Sequence, residues 1–313
     1  SGDFTLNMVG RQLNWSLQAQ TPGGFTATSK GYLPITNAKA LAELRPNMTA
    51  PLSGQFTASG PATAILGLIT PSDSQPSGQL SANLTLSGTA ESPLIEGQAS
   101  GKSLHMEAPQ LGTRLSNGRF TANFTNDSLS VSDVYVSDKN GGSISGQGDF
   151  KLGEFARPIG SLDMTADNFR ALDRKDFESR VSGRLAFEST QDKAIVTGDV
   201  ILDRAEVKQF VTGGAAVVEI PVEEINKPDA LKPIEVKAPA TPISLDVRVR
   251  APRRIFVRSK GLDVELAVDA TIRGTLTAPE VYGEANVLRG GDKIAGKELA
   301  FETGGIKFDG ELG

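Results

Sequence analysis

The chain has 313 residues, 22% of them charged, a net charge of -5 and no cysteine. The missing thiol excludes disulfides, Cys-ligated zinc and thiol catalysis together, and the mild acidity offers no basic surface for nucleic acid. No run of about 18 apolar residues occurs, so the sequence holds no membrane-spanning helix.

At the start, Phe4-Thr5-Leu6-Asn7-Met8 is strand-like and lacks the basic and apolar regions of a leader. With Gly310-Glu311-Leu312-Gly313 at the other end, the chain reads as a piece of something longer. From Leu13-Trp15-Leu17 onward, apolar and polar residues alternate, which puts successive side chains on opposite faces of a strand and marks a sheet with one apolar face. The pattern interrupts itself at Asn37 to Leu44 and at Ala62 to Ile69 after Pro61, both expected as short helices. It returns at Leu80-Ala82-Leu84-Leu86, Phe120-Ala122-Phe124 and Val134-Val136.

Gly23-Gly24, Asn117-Gly118, Asn140-Gly141-Gly142 and Gly290-Gly291 supply the positive φ angles of tight hairpins and are expected as turns. Gly146-Gln147-Gly148 lacks the third glycine and following helix of a phosphate cradle and is also expected as a turn. Ala171 to Phe177 is expected as a turn or a further helix.

Between residues 211 and 242 the composition changes to Pro221, Pro228, Pro233, Pro239 and Pro242 among Glu, Lys and Ala, which suits a flexible insertion. Alternation resumes at once, so residues 1–313 read as one β domain interrupted by that loop. The clearest apolar face follows, at Leu245, Val247, Val249, Ile255, Val257, Leu262, Val264, Leu266, Val268 and Ile272.

An internal repeat aligns Gly88-Thr89 … Pro93 … Gly97 … Ala99 with Gly274-Thr275 … Pro279 … Gly283 … Ala285 without gaps. The pattern describes a strand ending at Gly-Thr, a turn through Ser/Ala-Pro that forbids a ladder donor, and a new strand from the second Gly. Such repetition builds a quasi-one-dimensional stack. The expected fold is all-β: an elongated antiparallel sheet with one or two short helices, curled over itself to shield a hydrophobic interior.

Candidate chemistry is sparse. His105 is the sole histidine, which removes multi-His metal sites and leaves a Ser/His/Asp triad resting on one residue. Asp and Glu are abundant, but paired carboxylates carry no spacing rule, and most should decorate the wet face. Arg248, Arg250, Arg253, Arg254, Arg258 and Lys260 form a basic cluster. Arg248 and Arg250 alternate with Val247 and Val249, so they point away from the apolar face; the cluster is either a solvated outer face or a contact for anionic headgroups. No catalytic, metal or cofactor-binding residue is assigned.

The run Pro252-Arg253-Arg254-Ile255-Phe256-Val257-Arg258-Ser259-Lys260-Gly261-Leu262-Asp263-Val264-Glu265-Leu266 resembles the C-terminal domain of the TamB family. So do Gly274-Thr275 with Pro279 and Gly283, Leu288-Arg289-Gly290, and Phe301-Glu302-Thr303-Gly304-Gly305-Ile306-Lys307-Phe308-Asp309-Gly310. Asp167 to Phe177 with Arg180-Val181-Ser182-Gly183 extends the resemblance upstream, to about residue 77 in all.

The resemblance implies a periplasmic protein of Gram-negative bacteria, held in the inner membrane by an N-terminal helix outside this stretch. The implied partner is TamA, an outer-membrane barrel of the Omp85 type, with phospholipid acyl chains or nascent outer-membrane β-strands as cargo. The implied function is non-enzymatic: lipid transport between the two membranes and assembly of outer-membrane proteins, autotransporters included, through a β groove like that of AsmA-like bridge proteins. The competing expectation is a structural or adhesive, passenger-like sheet with a closed core. An enzyme using a carboxylate pair ranks behind both.

Overall fold

A computed structural model describes residues 1–36, 45–70, 74–109, 112–152, 158–208, 242–259, 261–276, 278–294 and 297–310. The expected helix at 37–44, most of the insertion at 211–242, and Lys260 fall outside the described residues.

Seventeen strands form one sheet. They are β1 (Gly2–Val9), β2 (Gln12–Gln20), β3 (Thr26–Pro34), β4 (Ser53–Pro61), β5 (Ser77–Gly88), β6 (Pro93–Ala108), β7 (Thr113–Thr125), β8 (Ser128–Ser137) and β9 (Ser143–Leu152). Then come β10 (Pro158–Asp173), β11 (Phe177–Ser189), β12 (Ala194–Val207), β13 (Ile243–Ser259), β14 (Leu262–Thr275), β15 (Ala278–Ile294), β16 (Lys297–Ala300) and β17 (Gly305–Gly310). Among the described residues there is one helix, α1 (Thr63–Ile69), where the apolar run after Pro61 predicts one.

Each strand pairs with the next in sequence, and the last rung is shared: β16 pairs with one end of β15 and β17 with the other. All ladders are antiparallel except β12 with β13, which run parallel from Ala194↔Ile243 to Val207↔Val257. A parallel pair cannot be closed by a hairpin and needs a crossover of about a dozen residues or more. The chain between Val207 and Ile243 is long enough for such a crossover. With adjacent strands about 4.8 Å apart, the sheet extends roughly 75 Å.

The sheet is open and curled rather than closed. Most ladders from β5 to β15, though not β9 with β10, carry register shifts: Gly101/Leu104 on β6, Ser116/Arg119 on β7, Val131/Val134 on β8, Ala166/Phe169 on β10 and Ala251/Ile255 on β13. Non-glycine residues with positive φ sit there, namely Ser103, Asn117, Asp133, Asn168 and Arg254. A bulge inserts an unpaired residue, bends its strand and raises the local twist. Bulges aligned on neighbouring strands therefore form a seam along which the sheet folds into a trough. β1 to β4 pair without register shifts, so the seam does not reach them.

Several sequence expectations change here for one reason. Asn117-Gly118 is not a hairpin turn, because the left-handed freedom of Asn117 (φ 55) serves the bulge of β7. Gly290-Gly291 lies within β15 and Gly146-Gln147-Gly148 within β9. Ala171 to Asp173 completes β10, and the chain then turns into β11 at Phe177 instead of forming a helix. The alternating runs at 245–249 and 255–257 belong to one strand, β13, with Pro252 at its bulge, where a missing N–H breaks no ladder bond.

The internal repeat proves to be one hairpin built twice, joining β5 to β6 and β14 to β15. The backbone N–H of Ser92 donates to Thr89 Oγ1 at 3.0 Å, and that of Ala278 to Thr275 Oγ1 at 3.2 Å. The turn glycines have φ 80 at Gly88 and 81 at Gly274, and the second glycines have φ 130 at Gly97 and 141 at Gly283. Those angles are open to glycine and strained for other residues.

Beyond the seam, the start of β7 meets the end of β10 over the tip of the β8–β9 hairpin. Thr113 Oγ1 donates to the Ala171 carbonyl at 2.9 Å. The buried Asp138 carboxylate accepts backbone N–H groups from Asn140 at 2.6 Å, Gly142 at 3.0 Å and Arg170 at 2.7 Å. Asp173 is held by Lys139 at 2.5 Å and Arg170 at 2.6 Å. These bonds gather four strands into a tight curl at that rim.

Candidate functional site: the apolar face

Register settles which side chains share a face. Val247 lies opposite Ile272, Ile255 opposite Leu266 and Val257 opposite Val264, while Ala251 opposite Val268 carries the same face across the bulge. By the two-residue period, Leu245, Val249 and Leu262 join them. All ten residues singled out in the sequence therefore lie on one face of β13 and β14. Val247, Ile255, Val257 and Val264 are buried at 8%, 6%, 7% and 6% exposure, and the other six are half-buried.

The same face continues across the sheet. A row of cross-strand partners runs Ala19, Ala27, Ala58, Ala82, Ala99 and Ala122 from β2 to β7. It goes on through Val131, Gly148, Leu162, Phe187, Val196 and Leu245 to β13. Over the alanine section, larger residues stand beside it, with Leu17, Phe56, Leu84 and Phe124 in the neighbouring row. The result is a smooth lane perpendicular to the strands, bordered by bulkier apolar side chains. On β2 the Trp15 indole lies over Gly31 and Gly54, where a methyl group would come within 2.5 Å and 3.1 Å of it, and its Nε1 donates to Ser29 Oγ at 3.0 Å.

This face is not filled by a second layer. No large side chain among the described residues is completely buried, and the densest packing is a small cluster of Ala205, Ala251 and Ile255 with Phe177, Leu202, Leu266 and Val268 against it. At the β1 end, Phe4, Leu6 and Met8 are 64%, 51% and 53% exposed. The accessible surface is 20867 Å², against roughly 12,500 Å² for a compact protein of 32.9 kDa. Contiguous apolar surface of more than a few hundred Å² marks an interaction site.

The opposite face of β10 to β15 is laced with ion pairs. Arg248 meets Asp269 at 2.9 Å, Arg250 meets Asp199 at 3.2 Å, and Arg258 meets Glu206 at 3.0 Å and Asp263 at 3.2 Å. Three cations of the basic cluster are thus engaged with carboxylates on the polar face. The backbone N–H of Arg254 donates to Glu265 Oε1 at 3.0 Å. The hydrogen bond from Arg204 holds the Glu206 carboxyl below its usual range, against the opposing effect of burial, with Arg258 adding to the depression. Arg248 likewise lowers Asp269.

His105 sits on β6 with Nδ1 3.2 Å from Ser116 Oγ. Among the described residues no group of three or more His, Asp or Glu could hold a metal ion, and no helix is long and apolar enough to cross a membrane.

The TamB C-terminal domain profile matches residues 132–312, from the middle of β8 through the last strand. The chain belongs to the TamB family. The matched region holds the parallel rung, the fullest run of the apolar face and the second copy of the repeated hairpin. Membership carries a TamB-like role in outer-membrane assembly and lipid transport, and the family is one of structural bridges. Neither the curated proteins nor the solved structures provide a match.

The sequence named individual lining residues only on β13 and β14, and marked the same apolar face elsewhere by alternation alone. Alternation was visible at Leu13 to Leu17, Leu80 to Leu86 and Phe120 to Phe124. What could not be read was the register that aligns those runs into rows.

Proposed function

We propose that this TamB domain is a stretch of a periplasm-spanning β groove that carries phospholipid acyl chains between the inner and outer membranes. In this reading it also supports outer-membrane protein and autotransporter assembly, with TamA as the outer-membrane partner and an N-terminal helix outside this stretch as the inner-membrane anchor. The domain is a single unit over residues 1–313 whose 211–242 loop is an insertion. The observation that carries the reading is the unbroken apolar row from β2 to β13 on a face with no covering layer. An acyl chain lying along that row would bury apolar surface at about 25 cal/mol per Å² without requiring directional bonds. The lining is Leu245, Val247, Val249, Ile255, Val257, Leu262, Val264, Leu266, Val268 and Ile272, extended by the alanine lane. An adhesive sheet with a closed core loses its footing, because the sheet is open.

The test is native mass spectrometry of the domain purified from a Gram-negative host, together with photo-crosslinking from Val264 and Leu266. Co-purified phospholipid is expected. Val264→Asp with Leu266→Asp should strip it while circular dichroism stays β-rich, since a charge on an apolar surface costs several kcal/mol in the presence of acyl chains. A folded double variant that holds and crosslinks lipid as well as the parent would overturn the proposal, as would a lipid-free parent.

A further inference from the structure

Register places like charges side by side at one level of the polar face. Arg170 on β10 lies opposite Arg180 on β11, and Arg180 lies opposite Arg204 on β12. Directly opposed residues on neighbouring strands have Cβ atoms about 5 Å apart, and like charges so placed destabilise a sheet. The exposed Arg253 and Arg254 occupy the adjoining bulge of β13, just before Ala205↔Ile255 resumes the ladder. The next charged row along β11 shows the ordinary solution, because there the signs alternate: Arg184 opposite Asp199 opposite Arg248.

The two outer arginines of the row are paired within the sheet. Arg170 meets Asp173 at 2.6 Å, and Arg204 meets Glu206 at 2.9 Å and lies 3.8 Å from Glu178. The central one is not paired. Among the described residues the half-buried Arg180 has neither an ion pair nor a hydrogen bond. The carboxylates around it are held by other groups: Asp173 by Lys139 as well as Arg170, Glu206 by Arg258 as well as Arg204, Glu178 by Lys208, and Asp203 by the Ser182 hydroxyl at 2.5 Å. The same row contains the one buried side-chain polar atom among the described residues without a hydrogen-bond partner, Nε of Arg170.

A guanidinium without a counter-charge and a buried N–H without an acceptor thus stand on adjacent strands. An unmade bond at a buried donor is costly, and the row repels itself until an anion joins it. A phosphate group answers both shortfalls, since it brings up to two negative charges and three acceptor oxygens on one centre. Guanidinium forks take pairs of such oxygens in a bidentate manner. A carboxylate, with one charge and two oxygens, satisfies one fork, as Asp173 and Glu206 do here.

We infer that the Arg170–Arg180–Arg204 row is a binding site for a phosphate monoester group, seated at Arg180. The site is on the face opposite the apolar lining, so it does not rest on the lipid reading.

The experiment is calorimetric titration of the domain with inorganic phosphate in chloride buffer at constant ionic strength, which removes the effect of general screening. Saturable binding with a Kd of roughly a millimolar or tighter is expected. Arg180→Gln should weaken it about tenfold or more, the loss of a bidentate charged pair. Arg184→Gln, which removes an exposed cation from the same strand, should leave it unchanged. In urea with chloride as the anion, Arg180→Gln should unfold at the parent's midpoint or above it, because the repulsion is relieved. Phosphate should raise the midpoint of the parent and not that of the variant. Flotation with phosphatidic acid vesicles, against phosphatidylcholine vesicles, separates the two sources of such a group. Capture by the acidic vesicles that phosphate displaces assigns a lipid headgroup, and phosphate binding without capture assigns a soluble ester; either upholds the site. No saturable phosphate binding, equal binding by Arg180→Gln, or an equal loss in Arg184→Gln would each overturn the inference.

Discussion

At the scale of single residues, the positions that decide this fold are those where a side chain cannot be added. Gly283 has φ 141, and a methyl group there would stand 2.3 Å from the Asp269 carbonyl oxygen on the neighbouring strand. Gly97, its counterpart in the repeated hairpin, would meet the Asn83 oxygen at 2.1 Å. Both obstacles are backbone, so neither can be relieved by a rotamer change. Gly283→Ala and Gly97→Ala should each destabilise the domain by about 1–3 kcal/mol, read as a lower urea midpoint, whereas alanine at Gly67, with nothing within 4 Å of its would-be Cβ, should not. The repeat in the sequence showed that these glycines correspond; that both avoid a collision with the adjacent strand required the register.

At the scale of elements, the seam of bulges and the rim beyond it do what periodicity could not foretell. Alternation marks a strand but cannot count the extra residue of a bulge, so Asn117-Gly118 looked like a turn and β13 like two strands. In both cases a residue able to adopt positive φ, or a Pro without an N–H, was assigned to a chain reversal when the sheet uses it to bend. The tight curl of β7 to β10 makes a pH dependence testable. Hydrogen bonding from Lys139, opposed by burial and reinforced by Arg170, holds the Asp173 carboxyl below its ordinary value. A carboxyl depressed in the folded state contributes stability that is fully present above its unfolded pKa, near 4. That contribution is lost as pH falls through the lower folded value. Asp173→Asn should therefore lower the urea midpoint at pH 6, and the gap between variant and parent should close as the pH drops below about 4. A gap that stayed constant from pH 6 to pH 3 would show that the ion pairs are not its source.

At the scale of the whole molecule, stability should be graded along the stack, because each rung touches chiefly its neighbours and no central core ties the ends together. The all-β class, the elongated sheet and the apolar face were legible from alternation and from the repeat. The parallel rung was not, since strand direction leaves no trace in side-chain pattern, and the TamB kinship came from motif residues rather than from periodicity. Burial is uneven along the axis. Ala205, Ala251, Ile255, Val257, Val264, Ala270 and Ala285, all between β12 and β15, are among the most buried apolar residues, whereas β1 is exposed along its whole length. Local opening free energy follows buried apolar contact. Native-state hydrogen exchange should thus show amides of β1 to β3 opening orders of magnitude faster than those of β12 to β14. In the lipid-loaded domain, protection should rise on strands that carry the alanine lane, because a ligand that binds only the folded state stabilises what it touches. Uniform protection from β1 to β15 would mean that the domain unfolds as one cooperative unit. A lane whose protection ignored lipid would leave the acyl chain without a seat on it.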